Sequence, residues 1–347
     1  MKIIHGMSEV AGQGINTVKG LRANGYDATM AVWQRNKMAA APDIDLEIQK
    51  SKKYMFPIYA AKMMAFAIKA LRRYDVIHAH YGYSLMPFCL DAYLFKIFGM
   101  SCFAEFHGSD IRFLYHPDIR YPFFSNLQFT DKDRKITKRR RDRLLKRVKG
   151  IIVHDQELIP HLPEFGKPVY IVPLRVDLTG IEPNYPDVEK KPVIVHAPSR
   201  RATKGTDKIL EKLKDVKGDY ELILVENMPH EEAMAIYREA DIIIDQVALG
   251  TYGVFSIEAM AMGKPVITYI SPEMKASFPE ELPIVSTDFD DLPDTIENLL
   301  ENPELRYELG VRGRAYAERY HSNEKVTKYL YEVYAGTIKD NNIFTLL

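Results

Sequence analysis

At 347 residues, the chain exceeds the usual size of one hydrophobic core, so two domains are expected. Its composition, 46% hydrophobic and 27% charged, is typical of a globular protein and excludes a fibrous or largely disordered chain. The 47 basic residues balance the 47 acidic ones, which argues against a dedicated nucleic-acid-binding protein because such domains usually carry a basic excess.

Targeting and redox features are sparse. Cys89 and Cys102 each lie in an apolar run, where a small buried thiol is expected, and two cysteines exclude a disulfide framework. The first residues enter a strand-like run without signal-peptide features, and no segment approaches the roughly 18 consecutive apolar residues of a membrane span. The sequence therefore predicts a cytoplasmic protein.

Short β-rich segments alternate with longer helical patterns, which predicts parallel sheets covered by helices. A first series of predicted strands covers residues 2–5, 28–32, 76–79, 102–106, 151–153 and 169–172. A second series covers residues 193–196, 220–225, 242–244, 266–269 and 284–285. The predicted fold class is therefore α/β, with two Rossmann-like doubly wound parallel-sheet domains. Because ligands of such sheets bind at the carboxyl ends of the strands, we expect the two domains to face each other across a cleft.

A proline-containing, charged segment at residues 177–191 separates the two series and predicts an interdomain linker. We expect an N-terminal, acceptor-side domain over residues 1–175 and a C-terminal, ligand-binding domain over residues 176–325. Residues 326–347 form a predicted C-terminal helix and tail that can pack back on the N-terminal domain.

A turn containing Gly12 and Gly14 follows the first predicted strand and opens the first helix. Glycine lets backbone amides approach a phosphate, and a helix N-terminus favours negative charge. A dinucleotide-binding fingerprint requires a third glycine or alanine, and Thr17 stands there; Trp33 and Gln34 replace the acid expected after the second strand. A dehydrogenase is therefore disfavoured, and a tight turn without a ligand is the alternative.

Histidines follow two further strands of the first series. His80 ends the run from 75 to 80, and His107 precedes a glycine at the end of the next strand. A histidine and free amides at a strand's carboxyl end favour a functional role for His107. His78, His80 and His107 are alternatively a metal site, which is weakly supported without nearby cysteine or a helical His-x-x-x-His pattern.

Three cations follow the first strand of the second series and precede a helix: Arg200, Arg201 and Lys204. Guanidinium and ammonium groups beside a helix N-terminus can neutralise a diphosphate. The alternative is ordinary solvated surface charge.

A glycine-rich turn after residues 240–246 leads into a short helix, and Gly-Lys-Pro then starts another strand. Backbone amides at Gly253, Val254 and Phe255 can receive phosphate at the start of this helix. Glu258, one turn further on, can accept hydrogen bonds from ribose hydroxyls.

Taken together, these stretches resemble the retaining glycosyltransferases of family 4, also called glycosyl transferases group 1, which have the GT-B fold. The resemblance extends to about residue 320. The motifs that carry it, in the family's order, are the Gly12/Gly14 turn, residues 75–80, residues 107–110, Lys204-Gly205 and residues 258–266.

The resemblance implies roles for the candidate residues. Arg200, Arg201 and Lys204 would bind the donor diphosphate, Glu258 the nucleotide ribose, and Gly14 would approach phosphate from the other domain. His107 would lie beside the transferred sugar, so the implied catalytic residues are His107, Arg200 and Lys204. One position departs from the family, which commonly has a second glutamate where Gly250 stands here, and that residue would usually contact the transferred sugar.

The implied substrate is a nucleotide sugar such as a UDP- or GDP-sugar, without a further cofactor. Retaining transfer needs no protein nucleophile if the leaving phosphate takes the acceptor's proton, and cations with helix dipoles then replace a metal. None of the Asp-x-Asp triplets at residues 43–45, 131–133 and 288–290 follows a convincing strand, so we expect them at the surface.

Residues 132–149 contain eleven basic and two acidic residues and predict a basic helix with one apolar stripe, formed by Ile136, Leu144, Leu145 and Val148. The stripe is expected to pack on the first domain. The opposite face suits anionic lipid at a cytoplasmic membrane, a phosphorylated acceptor or an acidic partner, and is otherwise simply solvated. Aromatic stretches at residues 113–117 and 121–124 line an acceptor pocket or form a packed loop.

Two alternatives remain open from the sequence. A nucleotide-sugar epimerase can use the same scaffold without an acceptor. A degenerate, non-catalytic nucleotide- or glycan-binding protein is the second alternative, and Gly250 is the residue that favours it. The sequence predicts no nucleic-acid partner and leaves the oligomeric state open.

Overall fold

A computed structural model describes residues 1–35, 40–49, 53–123, 130–187 and 189–347, without the side chain of Lys53. The chain forms two compact units. Unit 1 comprises Met1–Ile119, Leu127–Asp177 and Asn323–Leu347, and unit 2 comprises Arg120–Asn126 and Leu178–Ser322. Within the described ranges, no helix combines the length and the apolar character needed to cross a bilayer.

Unit 1 is built on a seven-stranded parallel sheet. Its strands are β1 (Lys2–Gly6), β2 (Asp27–Val32), β3 (Ile44–Asp45), β4 (Val76–His80), β5 (Ser101–Glu105), β6 (Gly150–Val153) and β7 (Val169–Ile171). Their order across the sheet is β3-β2-β1-β4-β5-β6-β7. The helices between them are α1 (Gln13–Ala23), α2 (Phe56–Arg73), α3 (Phe95–Phe98) and α4 (Asp131–Leu145), and 3-10 turns occupy Lys53–Met55, Pro87–Tyr93 and Gln156–His161.

Unit 2 is built on a five-stranded parallel sheet. Its strands are β8 (Val193–His196), β9 (Glu221–Leu224), β10 (Ile242–Ile244), β11 (Val266–Thr268) and β12 (Val285–Ser286), in the order β12-β11-β10-β8-β9. Its helices are α5 (Arg201–Lys204), α6 (Thr206–Lys212), α7 (His230–Glu239), α8 (Val254–Ala261), α9 (Pro272–Lys275), α10 (Leu292–Glu301) and α11 (Pro303–Tyr320). The central strands β8 and β10 are almost fully buried, as expected for a parallel sheet covered on both faces.

The last helix, α12 (Asn323–Ala335), belongs to unit 1 and packs along α1. Val326, Leu330 and Val333 recur at helical spacing and join the core that contains Ile15 and Val18. Burying each such side chain contributes about 1.5–3 kcal/mol. A final 3-10 turn, Ile343–Thr345, follows α12 and also reaches this core.

The two parallel sheets confirm the predicted α/β class, and each predicted strand occurs within one residue of its expected ends. Strand β3 was not predicted because it is only two residues long. It forms the last two residues of the Asp-x-Asp triplet at 43–45, in which Asp43 pairs with Arg22 at 2.8 Å and accepts from the Met30 amide. Both cysteines are free and buried, as expected.

The basic helix differs from its prediction at both the end and the stripe. Helix α4 stops at Leu145 rather than continuing to Lys149, because Lys149 donates its amide to Cys102 O and leads into β6. Leu144 and Leu145 are buried as predicted, whereas Ile136 is 50% exposed and does not pack on unit 1.

Candidate functional site

The candidate site in unit 2 forms where β8 and β10 end, because neighbouring parallel strands bring their carboxyl ends to one edge of the sheet. Lys204 follows β8, and Asp245 directly follows β10. The Lys204 ammonium forms a salt bridge with Asp245 Oδ1, and Ser256 Oγ donates to Asp245 Oδ2 at 2.6 Å. Asp245 is fully buried and Lys204 is 9% exposed, so the pair is shielded from water. The sequence interpretation identified Lys204 but missed Asp245 and Ser256.

The N-terminus of α8 lies beside this ammonium. A Cβ atom placed on Gly253 would lie 3.8 Å from Lys204 Nζ and 3.9 Å from Asp245 Oδ2, which is ordinary van der Waals contact, so the helix N-terminus lies directly against this ion pair. Gly253 caps α8 without a side-chain hydrogen bond. The amides of Val254 and Phe255 therefore have no intrahelical partner. A lysine carries three donors and Asp245 uses one, which leaves donors for an anion.

The two neighbouring arginines differ in their surroundings. Arg201 is bound to two carboxylates, at 2.8 Å from Asp207 and 2.9 Å from Glu226. Arg200 is exposed and has no salt-bridge partner among the residues that the structure describes. Arg200 is therefore the arginine whose charge is available to a ligand, whereas Arg201 would have to leave its carboxylates.

Glu258 lies on α8 and is 8% exposed. Its Oε1 atom lies 2.8 Å from His230 Nε2, at the start of α7. This hydrogen bond raises the pKa of His230. The sequence did not predict the contact of His230 with Glu258. A ribose hydroxyl that binds Glu258 would share the carboxylate with His230. Phe255 packs on the ring of Tyr237 at 4.7 Å.

The backbone at Gly250 explains why a glutamate does not fit there. Gly250 has φ of +86°, in the left-handed region that side chains rarely adopt, and an added Cβ would lie 3.1 Å from the Ser271 Cβ. Its carbonyl accepts from the Ser271 amide at 2.9 Å. Any residue with a side chain at position 250 would therefore strain this turn.

In unit 1, the N-terminus of α1 is already occupied by a carboxylate. Glu9 Oε2 accepts from the Ile15 amide at 2.9 Å. An added Cβ on Gly14 would lie 2.8 Å from the same oxygen and 2.8 Å from the Met30 side chain. Burial raises the pKa of Glu9. Glycine at position 14 is thus required for close packing, and a phosphate approaching this helix end would meet the Glu9 carboxyl group.

Five histidines and a tyrosine converge on one buried carboxylate in unit 1. They come from the ends of four adjacent strands and from α12. We call this group the histidine chain; its members are His154, His107, His80, His5, Tyr334, His78 and Glu105.

One half of the histidine chain leads to the carboxylate. Glu105 Oε2 lies 2.8 Å from His78 Nε2. His78 Nδ1 lies 2.5 Å from the Tyr334 hydroxyl, which lies 3.4 Å from His5 Nε2. Because an ionised carboxylate only accepts hydrogen bonds, His78 donates to Glu105. The Tyr334 hydroxyl then donates to His78.

The other half of the histidine chain links four histidines, from His5 to His154. His5 Nδ1 lies 3.0 Å from His80 Nε2, and His80 Nδ1 lies 3.2 Å from His107 Nε2. His107 Nδ1 lies 3.0 Å from His154 Nε2. His80 Nδ1 also lies 3.1 Å from Glu105 Oε2, so by the same rule as His78 it donates to the carboxylate. A neutral imidazole has one donor and one acceptor, so His80 Nε2 then accepts from His5 Nδ1. The Glu105 charge thereby sets the tautomers of His78 and His80, the two histidines that donate to it.

A buried guanidinium holds the carboxylate. Arg175 Nη2 donates to the two oxygens of Glu105 at 2.6 and 2.8 Å, and both side chains are fully buried. Burial alone would raise the pKa of Glu105, but Arg175 and His78 lower it well below its usual range. Arg175 Nε also donates to Thr17 on α1 at 2.6 Å. The charge on Glu105 is thus fixed by a salt bridge that also joins α1.

The histidine chain bears on two predictions from the sequence. Both ring nitrogens of His107 are hydrogen-bonded inside the chain, so a sugar hydroxyl can bind a His107 nitrogen only by replacing His80 or His154. The ligand atoms of His5, His78 and His80 lie within 4.8 Å of one another, as do those of His80, Glu105 and His107. A metal at either place would have to displace hydrogen bonds that these atoms already form.

The buried imidazoles predict a pH-dependent stability. Burial lowers the pKa of both His78 and His154 to about 4. The unfolded chain takes up these protons near pH 6.5, whereas the folded chain takes them up only near pH 4. The free energy of unfolding therefore has its full value above about pH 6.5. It falls as the pH decreases towards 4, by up to about 1.4 kcal/mol per pH unit for each histidine. Urea denaturation at a series of pH values tests this. A midpoint that stays constant from about pH 7 to pH 5 would contradict it.

Part of the predicted acceptor region forms a concave surface. Tyr115 and His116 line it together with Lys138 and Asp142 of α4, and its volume is about 410 Å³. The Tyr115 hydroxyl donates to Asp142 at 2.7 Å. The second aromatic stretch is not part of this surface: Phe123 packs edge-on against Tyr269 and Phe289 in unit 2, and residue 124 lies outside the described residues.

Comparisons with known proteins agree with the resemblance seen in the sequence. Residues 206–332 match the sequence model of a family described as glycosyl transferase-like. A D-inositol 3-phosphate glycosyltransferase of Corynebacterium urealyticum is 29% identical over 165 residues, which are 46% of this chain and 38% of that protein. The chain thus matches well under half the length of this curated relative.

Solved structures show the same fold over almost the whole chain. Sucrose-phosphate synthase from Thermosynechococcus elongatus has a TM-score of 0.70 and 16% identity, covering 97% of this chain and 99% of that one. HepE of Anabaena, in complex with UDP-glucose, has a TM-score of 0.66 and 13% identity, covering 97% of this chain and 100% of that one. The predicted fold class, with two parallel-sheet α/β units of the GT-B type, is confirmed.

Proposed function

We propose that this chain is a glycosyltransferase that transfers a sugar from a nucleoside-diphosphate sugar, such as a UDP- or GDP-sugar, to an acceptor. The observation that carries this proposal is the close approach of the Lys204 ammonium to the uncapped N-terminus of α8. The family match includes α8 and Glu258, and a structural neighbour, HepE, was solved with UDP-glucose.

The donor diphosphate binds between Lys204, Arg200 and the amides of Val254 and Phe255 in this proposal. These groups supply positive charge and hydrogen-bond donors on one edge of the unit 2 sheet, where a diphosphate is favoured. Glu258, one turn along α8, accepts from the ribose hydroxyls. Arg201 contributes to the same field, although two carboxylates already bind it.

The transfer proceeds with retention and without a metal, as in family 4. The leaving phosphate accepts the acceptor's proton, so the protein supplies positioning and charge stabilisation rather than a nucleophile. Lys204 and Arg200 stabilise the charge that develops on the phosphate. The Asp-x-Asp triplet at residues 288–290 follows β12 at the carboxyl edge of the unit 2 sheet, but its Asp290 already pairs with Lys212 at 2.9 Å.

Unit 1 is proposed as the acceptor side, with His107 beside the transferred sugar and the Gly14 turn near the phosphate. The histidine chain positions His107 through both of its ring nitrogens. The acceptor is a glycan, a lipid-linked sugar or a small molecule. The cations of α4 draw the enzyme to the cytoplasmic face of an anionic membrane, where a lipid-linked or phosphate-bearing acceptor is found.

A ligand screen tests the proposed function directly. Thermal unfolding is measured with nucleoside diphosphates and their sugars, and a ligand present at about 100 times its dissociation constant should stabilise the protein by about 2.7 kcal/mol. Donors that shift the melting temperature are then incubated with acceptor candidates. If no nucleotide or nucleotide sugar stabilises the chain, the proposal is wrong.

The Glu258→Ala variant is expected to weaken binding of the stabilising nucleotide about 10- to 100-fold, because a hydrogen bond to a charged group contributes about 1.5–3 kcal/mol. Isothermal titration calorimetry gives the affinity. His230→Gln is the matched control, since it removes the protein partner of Glu258 and keeps the carboxylate. Equal nucleotide affinity in wild type and Glu258→Ala would remove Glu258 from the site.

Two other functions give different outcomes in the same assays. An epimerase converts the donor without any acceptor, so a second nucleotide sugar in acceptor-free reactions would identify it. A non-catalytic binder shows nucleotide affinity without product across the acceptor candidates. Gly250 favours the latter, because the family's usual glutamate cannot be restored at its φ of +86° without strain.

A further inference from the structure

Helix α2 has two apolar faces, of which unit 1 covers only one. Met63, Ala67 and Leu71 are buried. Ile58, Met64 and Ile68 are 60%, 50% and 37% exposed, and with Ala61 and Ala65 between them they follow helical spacing along the opposite face. A solvent-facing helix normally presents polar side chains there. The described residues leave this stripe uncovered.

The neighbouring elements extend the stripe into a larger apolar surface. The 3-10 turn Pro87–Tyr93 and α3 both contact α2. They expose Phe88 (55%), Tyr93 (53%) and Ile97 (75%). Among the described residues, ten of the seventeen large apolar side chains that are exposed lie between residues 54 and 98. This concentration marks an interaction surface rather than the scattered apolar exposure of an ordinary protein.

The charges along α2 and the residues just before it are of one sign. Residues 48–74 contain seven lysines and arginines and no aspartate or glutamate. Helix α4 adjoins the 3-10 turn, where Arg143 donates to the Phe88 carbonyl and the Arg147 guanidinium lies 3.8 Å from the Tyr93 ring centre. Cations therefore lie directly beside the exposed aromatic side chains.

We infer that α2, the 3-10 turn Pro87–Tyr93, α3 and α4 form one membrane-docking surface, which inserts its apolar side chains shallowly into an anionic bilayer. An apolar helix face flanked by Lys and Arg suits the boundary between headgroups and acyl chains. A second copy of the chain is disfavoured as the occupant, because it would bring the cations of two α2 helices together. The inference deepens the proposed membrane association by α4, on which it rests: α4 supplies the attraction, and α2 supplies the insertion.

Vesicle sedimentation of the full chain tests this inference, and it needs no enzymatic activity. We expect binding to phosphatidylcholine vesicles that contain phosphatidylglycerol, and weak binding to phosphatidylcholine alone. Replacing Ile58, Met64 and Ile68 together by glutamine should weaken the binding about tenfold or more, because the variant loses the insertion energy of three apolar side chains. Circular dichroism checks that this variant is folded.

Two further variants separate the contributions. In the matched control, Tyr307→Gln with Val311→Gln removes exposed apolar side chains from unit 2, and vesicle binding should not change. Neutralising Lys132, Lys135 and Arg139 of α4 by glutamine should also weaken binding, in this case with a loss of salt dependence.

The possible results distinguish the inference from the proposals on which it rests. Unchanged binding of the α2 variant, with lost binding of the α4 variant, would overturn the role of α2 and leave membrane association intact. Failure of the wild type to bind anionic vesicles would overturn both, without affecting the proposed sugar transfer. A dimer in analytical ultracentrifugation that dissociates in the α2 variant would assign the surface to self-association and overturn the inference.

Discussion

Lys204→Ala is expected to reduce sugar transfer about 10²- to 10³-fold and to weaken the stabilisation by donor nucleotide. The ammonium supplies donors and charge beside the open end of α8, and removing one such group from a shielded site typically costs about 2.7–4 kcal/mol in the transition state. Transfer rates with the donor and acceptor pair found by the screen, and the nucleotide-dependent shift in melting temperature, measure the two effects.

A second variant separates chemistry from folding. Lys204→Ala leaves the fully buried Asp245 carboxylate without its cation, which can destabilise the fold by itself. The double variant Lys204→Met with Asp245→Asn removes both charges and keeps a neutral acceptor for Ser256. It should fold and still lose transfer. Normal transfer by the folded double variant would show that Lys204 is not part of the donor site.

Glu105→Gln is expected to lower the free energy of unfolding by about 3–5 kcal/mol, because it leaves the buried Arg175 guanidinium without its carboxylate. It also removes the charged acceptor of His78 and His80. Urea denaturation at neutral pH gives the change in stability. An unchanged denaturation midpoint would contradict the proposed role of the salt bridge in unit 1.

Tyr334→Phe is the matched control for this effect, because it removes one link of the histidine chain and keeps the salt bridge. We expect a loss of about 1–3 kcal/mol from the His78 nitrogen left unsatisfied. Nitrogen-15 NMR of the histidines reports the tautomers independently of stability. Wild-type protein should show Nε2–H for His78 and Nδ1–H for His80, because these nitrogens face the Glu105 carboxylate, and the opposite tautomer at either residue would contradict the assigned hydrogen bonds.

The parallel sheets were predictable because every strand but β3 is a compact β-rich run between helical patterns. The Lys204 and Glu258 positions were also accessible, since strand order alone brings the carboxyl ends of β8 and β10 to one edge. The sequence did not show which residues pair with each other. His230 bonds Glu258 28 positions away. Even the local contact by which Glu9 occupies the end of α1 was not predicted.

The histidine chain illustrates the same limit. His78 and His80 alternate along β4, so both could be placed on one face of the strand from sequence. Their hydrogen-bond partners could not be placed from sequence. The Tyr334 hydroxyl, for example, approaches His5 across 329 positions, and its position depends on how α12 packs. The predicted stripe of α4 failed at Ile136 for a related reason: periodicity indicates an apolar face but not whether anything covers it.

The return of α12 to unit 1 has a consequence for biosynthesis. Residues 323–347 leave the ribosome after all of unit 2, yet Val326, Leu330 and Tyr334 belong to the core of unit 1. The first part of unit 1 is therefore translated early but lacks its final helix until the end of synthesis. All residues of unit 2, in contrast, have been translated before that helix. Nascent chains arrested before residue 323 should keep the α1 surface open to chaperones.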